Sequence, residues 1–185
     1  SILEDESLNE EQMNKIFSSI STLRKMTKMN KSLLLLSKIE NDQFNNIETI
    51  NINNIIKEKI DVFKETFSQK EIKVSLIEKG NLEIKIDNIL CEMMINNILK
   101  NAFVHNIYGG EVEIEINENS ISFSNSGKSH DLNKNMIFNY FYKESNEQNS
   151  SGLGLVLTKS ICKKNNLSID YEFDNKKHRF FIKKI

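Results

Sequence analysis

Polar side chains recur at regular spacing in the segment 88–105, which is otherwise typical of an apolar helix. Asn97, Asn101 and His105 lie four residues apart, so a helix places them on one stripe beside its apolar face. Asparagine is a poor helix former, and a half-buried amide needs hydrogen-bond partners at both its ends. A ligand or a metal ion would supply them. In the alternative interpretation, one amide caps a neighbouring element and the other is exposed to solvent. Spacing alone leaves both interpretations open.

Two glycines stand near the start of another predicted helix, in the sequence SGLGL at 151–155. Gly152 and Gly154 would let backbone N–H groups approach an anion closely, and the helix dipole favours negative charge there. The third glycine and the preceding strand of a dinucleotide site are missing from this sequence, and so is the Lys-Ser/Thr pair of a P-loop. The segment therefore predicts an anion-binding turn without identifying the anion.

Two more motifs belong to the stretch 125–151, which is polar, lacks clear periodicity and is longer than an ordinary connection. Asn125-Ser126-Gly127 ends a predicted strand, where a glycine by itself indicates only a tight turn. Further on, the aromatic run at 138–142 indicates a segment that folds onto the core or onto a ligand. The stretch is predicted to be a lid or a disordered insert.

Apolar periodicity predicts the elements that position these residues. One amphipathic helix spans 9–40, and its wide apolar stripe is more typical of a helical hairpin or bundle than of a helix packed on its own domain. Asn53 is predicted to cap the second helix, and Gly109 and Gly110 to end the third. The elements after the first helix are a strand at 49–52, a helix at 53–69, strands at 72–76 and 82–86, a helix at 88–105, strands at 112–116 and 121–123, a helix at 153–164, and strands at 168–173 and 177–182. The pattern predicts an α+β fold, with helices on one face of a mainly antiparallel sheet.

The composition excludes several classes of function. The 185 residues carry a formal net charge of -1, so no overall field draws the chain to nucleic acid or to an anionic membrane. No apolar run approaches the roughly 20 residues that cross a bilayer, and the segment 1–12 lacks the pattern of a signal peptide. Cys91 and Cys162 belong to no metal-binding pattern and are predicted to be reduced and buried. We therefore expect a soluble, cytoplasmic piece of protein that binds no nucleic acid.

In their order along the chain, the four motifs resemble the ATP-binding boxes of sensor histidine kinases, which belong to the GHKL superfamily together with type II topoisomerases and certain chaperones. NNILKNAFVHN at 96–106 resembles the N box, and NSG at 125–127 a degenerate first glycine box. IFNYFYK at 137–143 resembles the F box, and SGLGL at 151–155 the second glycine box. The phrases NAFVHN and SGLGL, with NSG in place of the usual aspartate box, are similar to those of kinases from Bacteroidetes.

LLLLSKIEN at 33–41 also resembles the end of the second dimerisation helix of these kinases. The resemblance thus implies two parts: residues 1–42 as one helix of a partial dimerisation and phosphotransfer domain, and residues 43–185 as a catalytic ATP-binding domain. That domain would be a two-layer α/β sandwich of the Bergerat type with a mixed, mainly antiparallel sheet. ATP and Mg²⁺ are the implied cofactors.

The resemblance assigns roles by position. Asn101 would bind Mg²⁺, and Asn97 would be the catalytic residue that supports the phosphates or a metal-bound water. His105 would line the nucleotide. Asn125 would accept from the adenine amine, without the charge of the family's aspartate. Gly127 would give the base room, and the remaining nucleotide contacts would come from Phe138, Lys143, Gly152, Leu153, Gly154 and Leu155.

Three positions depart from the family pattern. The basic residue expected three positions after the Mg²⁺-binding asparagine is Val104, and the arginine usual in the F box is Tyr140. Ser129 replaces the second glycine of the first glycine box. Two positive charges near the triphosphate are therefore missing. Lys143 and Lys100 are the candidates to replace them, and spacing does not show whether either does.

The leading hypothesis is an enzyme fragment that binds Mg-ATP. In the full-length protein it would transfer the γ-phosphoryl group to a histidine on the upstream helix, for a response regulator. The acceptor is predicted to be absent, since the sequence has no proline and His105, His130 and His178 lack the acidic and Thr-Pro context. The parent would dimerise through its helical hairpin. The resemblance also allows an anchor of the parent in the inner membrane. The alternative is a regulatory ATP-binding module that does not transfer the phosphoryl group efficiently. A third hypothesis, a protein-kinase-like or anti-sigma serine kinase of the same superfamily, conflicts with the long first helix, because those modules lack a dimerisation hairpin.

Overall fold

A computed structural model describes residues 9–127, 130–143 and 152–185, which form seven strands and four α-helices. The elements are α1 (Glu10–Glu40), β1 (Ile47–Asn51), α2 (Ile52–Thr66), β2 (Lys73–Glu78), β3 (Glu83–Asp87), α3 (Asn88–Val104), β4 (Glu111–Asn117), β5 (Ser120–Ser126), α4 (Gly154–Lys164), β6 (Leu167–Asp174) and β7 (Lys177–Lys184). A 3₁₀ turn at Ser68–Lys70 follows α2. Each predicted element is present, with bounds that shift by a few residues.

Five of the strands form one mixed sheet in the order β2-β4-β5-β7-β6. Only β2 and β4 pair in parallel, and the other neighbours in this sheet are antiparallel. β1 and β3 form a separate antiparallel pair. Along β4, Val112, Ile114 and Ile116 are buried and alternate with more exposed glutamates, as expected for a sheet with one covered face. The prediction of a two-layer fold with a mainly antiparallel sheet is confirmed.

The three later helices cover this sheet, and α3 is the most buried of them. Its buried side chains are Leu90, Cys91, Met94, Ile95, Ile98, Leu99, Ala102 and Phe103. Phe103 packs between Phe63 and Phe67 of the preceding helical segment, with ring centroids 5.4 and 5.5 Å apart. Each large apolar side chain removed from water in this way contributes roughly 1.5–3 kcal/mol, which fixes α3 and the polar stripe it carries.

Both ends of α3 are held by side chains. Asp87 accepts from the backbone N–H of Ile89 at the start of the helix, at 2.9 Å. At its end, Lys70 Nζ donates to the carbonyls of Phe103, Val104 and Asn106 at 3.0, 2.7 and 3.1 Å. A positive charge there offsets the negative end of the helix dipole.

The prediction that Gly109 and Gly110 end α3 is wrong. The helix ends at Val104 with His105 as its C-cap. Gly109 belongs instead to the turn that leads into β4, where its φ of +65° is a conformation that favours glycine.

The predicted cap of α2 is also wrong by two residues. Asn51 is the N-cap, and its side chain accepts from the N–H of Asn54 at 3.1 Å. Asn53 is buried, and its amide donates to Glu78 Oε1 at 2.7 Å and accepts from Leu82 N at 3.0 Å. Asn53 therefore ties α2 to the β2–β3 connection, and both asparagines had suitable cap chemistry in the sequence.

The long helix α1 begins with a capping box in which Asn9 and Gln12 exchange hydrogen bonds at 3.0 and 2.9 Å. Only its last turns are buried, where Leu36 and Ile39 join the core beside α4. Large apolar side chains on the rest of the helix remain exposed, namely Phe17, Leu23, Met26, Leu33 and Leu34. Within the described residues, no helix is both long and apolar enough to span a bilayer.

Candidate functional site

The structure brings the polar stripe of α3 together with the glycine segment before α4. Asn97 Nδ2 donates to the carbonyl of Gly154 at 3.3 Å. A Cβ atom added to Gly154 would lie 3.6 Å from Asn97 Oδ1, an ordinary contact distance, so the Asn97 side chain lies directly against this glycine. Thr158 Oγ1 donates to the same carbonyl at 3.0 Å. The two motifs, 57 residues apart in sequence, therefore form one site.

Gly152 positions the aromatic run against this site. Its φ is +68°, and an added Cβ would come within 2.8 Å of the Phe141 backbone. The backbone N–H of Phe141 donates to the Gly152 carbonyl at 3.1 Å. Only glycine fits such an approach without displacing the neighbouring chain. The glycine segment thus contacts α3 on one side and the aromatic run on the other.

The aromatic run is folded onto the core. Ile137 is buried, and Phe138 and Tyr142 pack against the hydrophobic cluster. Lys159 Nζ of α4 lies 5.5 Å from the centroid of the Phe138 ring. The described part of the predicted lid is therefore anchored by its own apolar side chains, whereas Ser129 and the segment 144–151 lie outside the described residues.

Asn125 lies at the end of β5 and is 3% exposed. Its Nδ2 donates to the carbonyl of Ser126 at 2.8 Å, which fixes the orientation of the amide. Gly127 follows the end of β5, a central strand of the sheet, and an added Cβ there would lie 2.6 Å from Cδ2 of His178. The imidazole thus occupies the space that a side chain at position 127 would need.

His178 is a site residue that the sequence reasoning missed. It is the β7 partner of Asn125, is buried, and its Nδ1 lies 2.8 Å from Tyr171 Oη. The backbone N–H of Leu132 donates to the same hydroxyl at 3.2 Å, so Tyr171 joins His178 to the segment before the aromatic run. The alternation of His178 with the buried Phe180 and Ile182 was the available signal.

The other predicted site residues of the α3 stripe, Asn101 and His105, follow Asn97 along the same side of the helix. Asn101 is half-buried one turn after Asn97, and His105 is exposed at the C-cap, where its N–H donates to the Asn101 carbonyl at 3.0 Å. Leu153 is fully buried and Leu155 is half-buried. The oxygen of a half-exposed amide is a ligand type that suits Mg²⁺, which prefers oxygen donors and keeps several waters. The residues present therefore fit the ion that the resemblance implies.

The positions that depart from the family pattern are also placed. Val104 is half-buried, and its carbonyl accepts from Lys70. Tyr140 is 52% exposed, beside the exposed ring of Phe141 at a centroid distance of 6.3 Å. Lys143 is half-buried and Lys100 is exposed.

Residues 86–184 match the family of histidine kinase-, DNA gyrase B- and HSP90-like ATPases. The chain belongs to this family. The resemblance to the GHKL domain of sensor histidine kinases is thereby confirmed. All four motifs, between residues 96 and 155, lie within the matched range.

Similar proteins agree with this assignment. The heme sensor protein HssS of Staphylococcus aureus (strain Newman) is 28% identical over 177 residues, which are 92% of this chain and 38% of HssS. The chain thus spans well under half the length of this relative. The likeness to kinases from Bacteroidetes stays a prediction.

Two solved structures share the fold. The histidine kinase AdeS of Acinetobacter baumannii superposes with a TM-score of 0.68 at 18% identity, over 98% of this chain and 87% of the AdeS chain. Full-length ShkA in complex with AMPPNP gives a TM-score of 0.71 at 15% identity, over 98% of this chain and 40% of ShkA. Both superpositions include α1 as well as the sandwich, since they cover nearly the whole chain.

Proposed function

We propose that this chain is the ATP-binding catalytic region of a sensor histidine kinase together with the second helix of its dimerisation domain. The sandwich, residues 43–185, would bind Mg-ATP. In the full-length protein it would transfer the γ-phosphoryl group to a histidine on the upstream helix. The contact between Asn97 and Gly154 carries this proposal, because it joins an amide-bearing helix to a glycine turn at a helix N-terminus.

The site offers donors and acceptors suited to a nucleotide. Backbone N–H groups at the start of α4, around Gly152 and Gly154, would bind phosphate oxygens, favoured by the helix dipole. Asn97 would support the phosphates or a metal-bound water, and Asn101 would contribute an amide oxygen to Mg²⁺. Bound Mg²⁺ would neutralise charge on the phosphates, which is the main requirement of phosphoryl transfer.

The base would lie at the other end of the site. Asn125 uses its Nδ2 on the Ser126 carbonyl, which leaves Oδ1 to accept from the exocyclic amine of adenine. The His178 imidazole fills the space beside Gly127, so the base would lie next to that ring. Phe138 and Lys143 of the aromatic segment, His105, and the side chains Leu153 and Leu155 would complete the enclosure of the nucleotide.

The assembly of the parent protein is part of the same proposal. Exposed apolar side chains on α1, such as Leu23, Met26 and Leu34, support a helical hairpin that packs in a homodimer. A response regulator would receive the phosphoryl group. This piece would lie in the cytoplasm, with the parent anchored in the inner membrane.

A regulatory ATP-binding module without efficient transfer is the second candidate. Tyr140 and Val104 favour it, because neither side chain carries the positive charge expected at its position. Acid-labile phosphate on a longer protein that includes the upstream histidine would separate the two candidates, since only a kinase forms it. This chain alone should acquire none.

The test is the Mg²⁺ dependence of nucleotide binding. In calorimetric titrations with ADP, the natural chain should bind more tightly with Mg²⁺ than without it. Asn101→Ala should remove that difference, because it deletes the amide oxygen offered to the ion. Asn96→Ala is the matched control, since it removes the same group one residue before Asn97 on the same helix. Equal affinity with and without Mg²⁺ in the natural chain would contradict the assignment.

A further inference from the structure

A buried histidine borders the base end of the proposed site. His178 pairs across the sheet with Asn125, and both side chains are buried. The Cδ2–Nε2 edge of the imidazole faces Gly127, because a Cβ added to this glycine would lie 2.6 Å from Cδ2 and 2.9 Å from Nε2. The same added atom would lie 3.6 Å from Asn125 Nδ2. The ring edge and the amide therefore meet in one small region beside Gly127.

The imidazole is held in this orientation by side chains of β6, the strand next to β7. Its Nδ1 lies 2.8 Å from the hydroxyl oxygen of Tyr171, and this contact is buried. The rings of Tyr171 and Phe173 pack beside it, with centroids 6.0 and 4.9 Å from the imidazole centroid. Packing confines the ring, and the hydrogen bond selects which of its edges points away from Tyr171. The edge turned to Gly127 is therefore fixed by Tyr171.

The Tyr171 hydroxyl also reaches the segment that precedes the aromatic run. The backbone N–H of Leu132 donates to it at 3.2 Å, and the Leu132 side chain packs against the core. Two residues later, Lys134 forms an ion pair with Asp170 of β6 at 3.0 Å. An exposed ion pair of this kind contributes little, so the part-buried hydroxyl contact is the more important of the two. The hydroxyl that orients His178 thus also holds the start of this segment.

One hydroxyl can serve both neighbours. It has one proton and two lone pairs, so it accepts from the Leu132 N–H while it shares a hydrogen bond with the imidazole. Hydrogen bonds that form such a chain in the protein interior strengthen one another. If the hydroxyl were removed and the ring kept, the imidazole and the Leu132 N–H would both lose this contact. The packing of the core would stay the same.

We propose that Tyr171 is a positioning residue for the base end of the nucleotide site, and that it acts through His178, whose imidazole contacts the purine ring. The hydroxyl of Tyr171 fixes the imidazole beside Gly127 and ties the segment that begins at Leu132 to the same ring. This inference rests on the proposed function and extends it, because it adds a base contact from β7 and the β6 residue that orients it.

The experiment measures ADP affinity by calorimetry, with and without Mg²⁺, in the natural chain, Tyr171→Phe and Tyr108→Phe. Tyr171→Phe should weaken ADP binding about fivefold under both conditions, the equivalent of one neutral hydrogen bond. The ratio of the two affinities should stay the same, because the Mg²⁺ dependence belongs to the phosphate end of the site. Tyr108 is the control, since its side chain is exposed in the turn after α3. Tyr108→Phe should change neither affinity.

A double-mutant cycle tests whether Tyr171 acts through the imidazole. His178→Leu removes both ring nitrogens and keeps an apolar side chain of similar size in the core. It should weaken ADP binding at least as much as Tyr171→Phe does. Adding Tyr171→Phe to His178→Leu should then change the affinity by less than about twofold, because the hydroxyl has lost the group that it orients. Losses that multiply in the double variant would overturn the positioning role.

The natural chain offers a readout that needs no variant. His178 is one of three histidines, and its imidazole ¹⁵N resonances should shift when ADP is added, together with the amide of Leu132. Unshifted imidazole resonances at saturating ADP would exclude the contact with the base. Unchanged ADP affinity in Tyr171→Phe, or a changed Mg²⁺ ratio, would also overturn the inference and leave the nucleotide site in place. If the natural chain does not bind ADP, the proposed function itself is wrong.

Discussion

Two glycines with nearly the same backbone conformation play different parts at the residue scale. Gly109 and Gly152 have φ values of +65° and +68°. A Cβ at Gly109 would meet nothing within 4 Å, whereas one at Gly152 would come within 2.8 Å of the Phe141 backbone. Alanine would meet the same conformational cost at both positions, whereas of these two only Gly152 has a steric conflict.

We expect Gly109→Ala to lower the free energy of unfolding by about 1–2 kcal/mol, the cost of a left-handed residue with a Cβ, and to leave ADP affinity unchanged. Gly152→Ala should lower stability by at least as much and also weaken ADP binding, because it displaces Phe141 from the glycine segment. Urea denaturation and calorimetric titration of both variants measure the two effects. A Gly152→Ala chain with natural ADP affinity would exclude the segment from the site.

Residue types in the site were predictable where local spacing fixed the geometry, as for Asn97 and Asn101 on α3. His178 was not, because its place beside Asn125 depends on the pairing of β5 with β7, which are far apart in sequence. The sequence also left open which residue caps the N-terminus of α2. Asn51 and Asn53 have the same chemistry, and only the end of β1 at Asn51 decides between them.

At the scale of elements, α3 depends on a lysine from the turn that follows α2. Lys70 reaches three carbonyls at the end of α3, a contact that neither segment reveals in its own sequence. It supplies a donor to carbonyls that lack intrahelical partners where the helix ends at Val104, ahead of the glycines. The element that carries the amide stripe is thus fixed at both ends by side chains, by Asp87 at its start and Lys70 at its end.

We expect Lys70→Met to lower the free energy of unfolding by about 1–3 kcal/mol, because it removes a charged donor and leaves part-buried carbonyls without that partner. Lys73→Met removes an equal charge from an exposed position in β2 and should change stability by less than about 0.5 kcal/mol. Chemical denaturation of both variants is the measurement. Similar losses in the two would show that Lys70 acts only through net charge.

For the whole molecule, the order and type of elements followed from apolar periodicity, and the structure confirms the two-layer sheet and helix arrangement. The docking of α1 did not follow, because a wide apolar stripe does not say which part of it meets the domain. Only the end around Leu36 and Ile39 is buried.

Two buried thiols in the core make the free energy of unfolding depend on pH in the alkaline range. Burial raises the pKa of both Cys91 and Cys162 to about 12, from an ordinary value of 9.0. The folded state thus holds protons that the unfolded state releases. The resulting stability is complete below pH 9.0 and is lost as the pH rises toward 12.

Above pH 9.0, the free energy of unfolding should therefore fall more steeply with pH in the natural chain than in a Cys91→Ala, Cys162→Ala double variant. The double variant should be less stable overall, since each change leaves a cavity, and the slope is the informative quantity. Urea denaturation at several pH values measures it. Identical slopes would mean that the thiols are accessible to solvent.

We propose that a nucleotide binds between α3, the end of β5 and the glycine segment before α4. Titration of the isotope-labelled chain with Mg-ADP, followed by amide NMR, tests it most directly. We predict the largest shifts at Asn97, Asn101, Asn125, Gly127 and Gly152–Gly154, with the outer end of α1 near Phe17 unaffected. Saturable binding with shifts confined to other surfaces, or no binding at millimolar ADP, would show that the nucleotide does not bind here.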